Sequence, residues 1–240
     1  MTPPTIVIPM AGLSRRFSEA GYTRPKYMLD LHGRSVFAHA VGSFATYFDT
    51  APFLFVARDI AGTPEFIAAE CAALGIADAR VHLLRAPTAG QAETVELGLA
   101  DVPADTAITI FNIDTFRPGF RYPDFADSAG YLEVFRGSGA NWSYVRPGLG
   151  PEPLALETAE KRPISDLCCT GLYHFSNADQ FRHALAQERL KPSAAELYVA
   201  PLYNALIQAG AKIHYQVVGA EDVVFCGVPT EYETLLQGRS

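Results

Sequence analysis

Thr5-Ile-Val-Ile-Pro-Met-Ala-Gly-Leu-Ser-Arg-Arg-Phe17 opens with a short β-branched apolar run and passes straight into a turn of small residues. An apolar run without polar alternation is what a strand covered on both faces of a parallel sheet needs. At its end Ala11 and Gly12 let the backbone approach a ligand closely. Outward from this segment the same unit recurs. The spacing predicts a helix over Ser35–Phe48, a strand at Phe53–Ala57, and a helix at Pro64–Leu74 with proline in its first turn. A strand at Arg80–Leu84, a helix at Gln91–Ala100 and a strand at Ala107–Phe111 follow. Strands and helices alternating at this pitch imply a parallel sheet with right-handed crossovers.

The second half breaks the rhythm. Tyr131–Phe135, Trp142–Arg146 and Cys169–Phe175 read as strands with little helix between them, so an antiparallel insertion is expected. Helices at Asn177–Glu188 and Ala194–Ala209, strands at Ile213–Val218 and Val223–Cys226, and a last helix over Pro229–Leu236 complete the pattern. No linker, low-complexity tract or internal repeat interrupts it, so residues 1–240 are expected to form a single α/β domain.

Composition narrows the function. Hydrophobic residues make up 49% of the 240, enough for a large core, and the formal net charge is −7. That balance argues against a partner that is nucleic acid, whose binders carry a basic face, and it leaves room for a local basic pocket. Cys71, Cys168, Cys169 and Cys226 form no Cys-x-x-Cys pair and read as buried thiols of a reducing compartment. No secretory leader pattern and no apolar run near the ~20 residues of a membrane helix is present, so a cytoplasmic protein without a membrane partner is expected.

The chemistry-bearing residues cluster at strand ends. Amides of the Ala11-Gly12 turn can cradle phosphates, and Arg15 or Arg16 can add a bidentate grip. Lys26 follows Pro25, which holds the chain extended and can aim the ammonium back at the same place. In Phe111-Asn-Ile-Asp-Thr115, Asp114 stands just past the C-terminal end of a predicted parallel strand, where open α/β sheets bind ligands. Mg²⁺ takes hard oxygen ligands and keeps substrate phosphates among them, which makes Asp114 the candidate metal ligand. Read alone, Asn112 and Asp114 are more simply a turn after a strand.

Residues Ile6–Lys26 resemble the signature of sugar-phosphate nucleotidyltransferases: a strand, then A-G-x-G-[ST]-R-[FL], then P-K. On that resemblance Gly12 is the first glycine, Arg16 the signature arginine, Phe17 its apolar follower and Lys26 the signature lysine, with Arg16 and Lys26 stabilising phosphate charge. Ser14 stands where the second glycine is expected and Arg15 where a small hydroxyl residue is expected; Ser14 can make the turn at modest cost provided its φ stays negative. Asn112-Ile-Asp114 is similar to the segment carrying the family's metal aspartate. Gly90-Gln-Ala-Glu-Thr94 resembles the segment where a Gln reads the base edge beside small residues, implying Gln91 and Thr94; a plain surface helix start fits the same residues. Thr170-Gly-Leu-Tyr-His-Phe175 and Glu196-Leu-Tyr-Val-Ala-Pro-Leu-Tyr203 resemble the acceptor strand and helix start, implying Thr170, Gly171 and Glu196 beside the acceptor.

The resemblance implies a Rossmann-like, GT-A-like nucleotide-diphospho-sugar transferase fold, with a mixed, mainly parallel sheet and a small antiparallel acceptor flap. It implies transfer of NMP from a nucleoside triphosphate to a sugar phosphate or similar phosphorylated small acceptor, with Mg²⁺ and release of pyrophosphate. The chain's length and its Glu196–Tyr203 segment look most like members serving bacterial capsule or surface-polysaccharide synthesis. One departure stands out: the terminal Gly227-Val-Pro-Thr-Glu-Tyr232 turn is kept, but Phe225 occupies the position expected to hold a second metal aspartate, leaving Glu221 or Asp222 upstream as substitutes. A glycosyltransferase of related fold would show Asp-x-Asp, of which Asn112-Ile-Asp114 is half, and a non-catalytic nucleotide-binding protein is the other alternative. Base, acceptor and subunit number stay open, a homo-oligomer included.

Overall fold

The computed structural model describes residues 3–125 and 128–238. In chain order, β1 (Thr5–Pro9) leads into α1 (Arg15–Glu19), and a small hairpin of β2 (Asp30–Leu31) and β3 (Arg34–Ser35) precedes α2 (Val36–Gly42). Next come β4 (Phe53–Arg58), α3 (Thr63–Leu74), β5 (Ala79–Leu84), α4 (Gln91–Gly98) and β6 (Ile108–Phe111). The second half runs β7 (Thr115–Phe116), β8 (Gly130–Arg136), β9 (Ser143–Pro147), β10 (Ala155–Glu160), β11 (Leu167–Phe175), α5 (Ala178–Leu190), α6 (Tyr203–Gln208), β12 (Ile213–Val218), β13 (Val224–Phe225) and α7 (Pro229–Leu236).

Nine strands form one mixed α/β sheet. β5, β4, β1 and β6 lie side by side and parallel, as the alternating first half predicts. β11 then runs antiparallel between β6 and β8, and β12 adds parallel to β8. The expected antiparallel strands are present, Tyr131–Phe135 and Ser143–Pro147 both pairing antiparallel with β11, and the small flap is the β9–β10 hairpin at the margin of the same sheet, attached to β11 at Cys168–Tyr144. The sequence reading has no strand at β10, because Ala-Leu-Glu-Thr-Ala-Glu lacks the β-branched and aromatic enrichment that marks one.

Two predicted helices are shorter than expected. Ser35 caps α2, its Oγ accepting from the Ala38 amide at 2.9 Å, and the helix ends at Gly42, a poor helix former, with a separate turn at Ala45–Tyr47. Residues 194–199 are not helical. Leu197 instead exchanges backbone hydrogen bonds with the loop before α4: its amide donates to the Ala89 carbonyl at 3.0 Å, and its carbonyl accepts from the Ala92 amide at 2.8 Å.

The sheet separates two cores. Along β1 the side chains alternate, Val7 facing a core roofed by α4, α5 and α6, and Ile6 and Ile8 facing one rich in aromatic rings such as Phe37, Phe44 and Phe55. Burying such rings contributes on the order of 1.5–3 kcal/mol each and leaves the strand ends rigid enough to carry a site. Among the described residues no helix is long and apolar enough to cross a membrane.

Candidate active site

Two adjoining cavities open beyond the C-terminal ends of β1 and β6. The first, about 690 Å³, is lined by Ala11, Gly12, Ser14, Arg15, Lys26 and Thr94, among others. The second, about 490 Å³, is lined by Arg16, Thr170, Gly171, Trp142, Glu160 and Phe225, among others. Gln91, Asn112, Asp114 and Glu196 line both. All of the candidate residues therefore reach the site, and the shared ones mark the place where a group could pass from one cavity to the other. Arg15 and Arg16 part company: the first serves the cavity of the loop, the second the neighbouring one.

The loop is shaped by its backbone. Ser14 has φ 49°, so the expectation of a negative φ there is corrected. It caps α1 in the left-handed region that glycine prefers, and no side-chain cap bond compensates. Gly90, at φ 153°, has no alternative: a Cβ there would stand 2.5 Å from the Leu197 carbonyl oxygen. That close approach sets the Leu197 backbone, next to Glu196, against the loop before α4. Thr94 is buried, its hydroxyl 2.7 Å from that of Thr88, so it props the loop from within. Gln91 Nε2 donates to Asn112 Oδ1 at 2.6 Å, committing part of the amide expected at a base edge to the cavity junction.

At that junction Lys26 Nζ donates to Asp114 Oδ2 at 2.5 Å, both side chains about one-fifth exposed. The loop after β6 is fixed on both sides. Asp114's carbonyl accepts from the Cys226 amide at 2.8 Å, and Thr115 Oγ1 donates to the Thr170 carbonyl at 3.1 Å. Burial, with Asp114 alongside, pushes the Cys226 thiol up to about 12, so it stays protonated and is no nucleophile. Gly171, at φ 98°, lies under the Asn112 side chain, whose Nδ2 would be 2.4 Å from any Cβ there.

The upstream carboxylates do not replace the one expected at Phe225. Asp222 accepts from the Gly219 amide at 3.1 Å, and neither it nor Glu221 lines either of these two cavities. Phe225 instead packs its ring 4.7 Å from Trp142 and 5.2 Å from Phe135, forming an aromatic wall. The carboxylate that does approach is Glu231, absent from the sequence reading. Its Oε2 accepts from the Gly227 and Val228 amides at 2.7 and 3.2 Å, and a Cβ on Gly227 would lie 3.1 Å from Asp114 Oδ2 and 3.7 Å from Glu231 Oε2. The Pro-x-Glu at the start of α7 is a recognisable cap signal that could have found it.

Glu160 and Lys161 were missed as well. Glu160 lines the second cavity, the Ser143 hydroxyl donates to it, and burial pushes its carboxyl up. Lys161, at φ 54°, donates to Tyr198 Oη at 2.6 Å at the rim. A carboxylate beside a cation two residues before Pro163 was the available signal.

No family profile matches the chain, and no curated protein does. Solved structures do. The UTP-bound UGPase from Acinetobacter baumannii is 16% identical, covering 98% of this chain and 92% of that one with a TM-score of 0.71, and the inositol-1-phosphate CTP transferase from T. maritima is 14% identical, covering 98% and 96% with a TM-score of 0.74. Both share the fold. The nucleoside-diphosphate-sugar pyrophosphorylase from Vibrio cholerae is 50% identical over 97% of this chain and 99% of its own, with a TM-score of 0.92. With that identity sustained from end to end, the chain belongs to the nucleoside-diphosphate-sugar pyrophosphorylase family.

Proposed function

We propose that this protein transfers a nucleoside monophosphate from a nucleoside triphosphate to a sugar phosphate, releasing pyrophosphate. The observation that carries the reading is the meeting of two cavities at the Lys26–Asp114 pair. The first cavity takes the triphosphate, its phosphates lying on the Ala11–Ser14 backbone and Arg15, with Gln91 and Thr94 shaping the base side. The second takes the sugar phosphate, between Thr170, Gly171 and Glu196, with Glu160 offering a hydroxyl acceptor.

The acceptor's phosphate oxygen attacks the α-phosphorus, the bond to the pyrophosphate oxygen breaks, and the electron pair leaves with pyrophosphate. No covalent enzyme intermediate is required. Lys26 and Arg16 neutralise charge from opposite sides of the junction, and the rest of the catalysis is positioning.

The residues fit a magnesium ion. Asp114 is a hard, partly exposed carboxylate at the junction, its Oδ1 accepts from no protein donor among the described residues, and Glu231 flanks it. When bound there the ion supplies neutralisation of phosphate charge. One protein carboxylate, or Asp114 with Glu231, with substrate oxygens completing the shell, replaces the pair expected with an aspartate at 225. A cytoplasmic location fits this reading, and the resemblance of Glu196–Tyr203 supports a role in capsule or surface-polysaccharide supply.

The test is pyrophosphate release, measured with Mg²⁺, the four nucleoside triphosphates and a panel of sugar phosphates. A signal requiring both substrates and abolished by EDTA is expected. Nucleoside phosphate released from a nucleotide-sugar, with no pyrophosphate from any pair, would replace this reading by glycosyl transfer.

A further inference from the structure

Glu133 is a carboxylate with no exposed surface, in the middle of β8, and the reaction above makes no use of it. Arg117 Nε donates to both its oxygens at 3.1 Å, and Thr170 Oγ1 donates to Oε1 at 3.1 Å. The register explains why it is there. β8 and β11 pair regularly at Val134–Cys169 and again at Leu132–Tyr173, so Glu133 stands opposite three residues, Thr170, Gly171 and Leu172. That bulge pushes Thr170 and Gly171 into the second cavity. Arg117, in turn, lies three residues after Asp114, on a segment whose amide donates to Ser43 Oγ at 2.8 Å. One buried carboxylate thus holds the bulge of the acceptor strand and the segment that carries Asp114.

We infer that the Glu133–Arg117 pair is a positioning device of the transferase site, fixing the distance between the acceptor's cradle at Thr170–Gly171 and Asp114. Stability alone does not account for it. Desolvating two charges offsets most of their attraction, and apolar side chains of similar volume hold such a site at equal or greater stability. What apolar side chains lack is direction: they cannot hold the Thr170 hydroxyl and the Arg117 guanidinium to one point. The inference rests on the proposed transfer reaction.

The apolar pair Glu133→Leu with Arg117→Met separates the roles. The expected variant melts at or above the wild-type temperature. Its kcat/KM for the sugar phosphate falls by about 100-fold, as a displacement near 1 Å produces, and its KM for the nucleoside triphosphate stays within about twofold. Wild-type kinetics in the folded variant, or an equal rise in KM for both substrates, would overturn the inference. If the double variant fails to fold, Glu133→Gln, which keeps shape and removes charge, carries the same comparison.

The chain's one tryptophan supplies a readout that needs no turnover. Trp142 lines the second cavity, and its ring lies 5.1 Å from Phe135 on the same face of β8 as Glu133. Acrylamide quenching of Trp142 in the folded variant is expected to differ from wild type by about 1.5-fold or more, as repacking of a cavity wall entails. A wild-type protein that releases no pyrophosphate with any pair sinks the transferase reading, and the quenching then decides this one: altered access upholds the coupling of Glu133 to the cavity, and identical access ends it.

Discussion

Gly90→Ala is the sharpest small perturbation available at the site. The added methyl group meets backbone, not a movable side chain: its carbon would lie 2.5, 2.6 and 2.9 Å from the Leu197 oxygen, nitrogen and carbonyl carbon. Gly90 also has φ 153° and ψ −179°, a region essentially confined to glycine, which costs an L-residue about 1–3 kcal/mol. Overpacking adds about 1–3 kcal/mol more, because the Leu197 backbone is tied by hydrogen bonds at 2.8 and 3.0 Å to Ala92 and Ala89. Together these give about 4 kcal/mol, equivalent in a chain of this size to a fall in melting temperature of about 10 °C. A shift of the Leu197 backbone that relieves the clash also moves its neighbour Glu196, which stands at the junction of the cavities. Thermal unfolding followed by circular dichroism, with nucleotide affinity measured by calorimetry on the same sample, checks both effects. A melting temperature within about 1 °C of wild type, with unchanged affinity, would show that residues 196–197 are not braced against Gly90, and the account of this wall would fall with it.

Lys26→Ala and Asp114→Ala should each lower turnover by about 100-fold or more while leaving the far-ultraviolet spectrum and melting temperature close to wild type, since the pair is partly exposed; near-normal pyrophosphate release in both would refute their roles. Ser14→Gly should leave stability unchanged or raise it by up to about 1 kcal/mol, because a residue at φ 49° gives up left-handed strain, whereas Ser14→Val should cost about 1–2 kcal/mol and weaken nucleotide binding. Equal melting temperatures for the glycine and valine variants would contradict the backbone reading. Burial pushes the His174 imidazole down to about 4, so as pH falls through ~6.5 the unfolded chain takes up its proton first. The contribution is complete above ~6.5, is lost progressively down to pH 4, and amounts to about 3 kcal/mol. Urea midpoints of wild type and His174→Gln across that window should converge toward the acid end, and parallel pH dependences would refute it.

The parallel half of the fold was legible because its signals are local: apolar runs such as Thr5–Pro9 and Phe53–Ala57 announce buried strands, and Pro64 and Ser35 announce helix starts. Beyond β6 the same rules lose force. β10 carries Glu157 and Glu160 on a hairpin at the margin of the sheet, so its strand character comes from pairing with β9 and not from composition. Residues 194–199 have helix-forming side chains, yet they are drawn out because Leu197 completes backbone bonds with a loop about a hundred positions earlier in the chain. No periodicity records such a partner.

The same division runs through the site. Lys26 and Asp114, 88 residues apart, were each visible as a charged residue beside a strand end, and the fold had only to bring the two ends together. The residues alone left Arg15 and Arg16 interchangeable and only the resemblance singled out Arg16, because which of two neighbours faces which cavity depends on the left-handed Ser14 that starts α1, a backbone angle that serine does not advertise. The position of Phe225 pointed to a missing carboxylate, and along the strand the nearest replacements were Asp222 and Glu221. Distance in space follows a different path. The turn at Gly227 folds α7 back so that Glu231, six residues past Phe225, flanks the same glycine as Asp114. Its two amide bonds are an ordinary cap for α7, and a cap draws no notice as a candidate ligand until the helix it begins is seen to start beside Asp114. A residue that holds the helix in place also sets a carboxylate beside Asp114, so Glu231→Gln should separate the two uses: the amide oxygen can still accept from Gly227 and Val228, while any share in holding Mg²⁺ weakens. An unchanged melting temperature with a several-fold higher Mg²⁺ requirement would assign Glu231 to the metal; an unchanged requirement would leave Asp114 as the one protein carboxylate there.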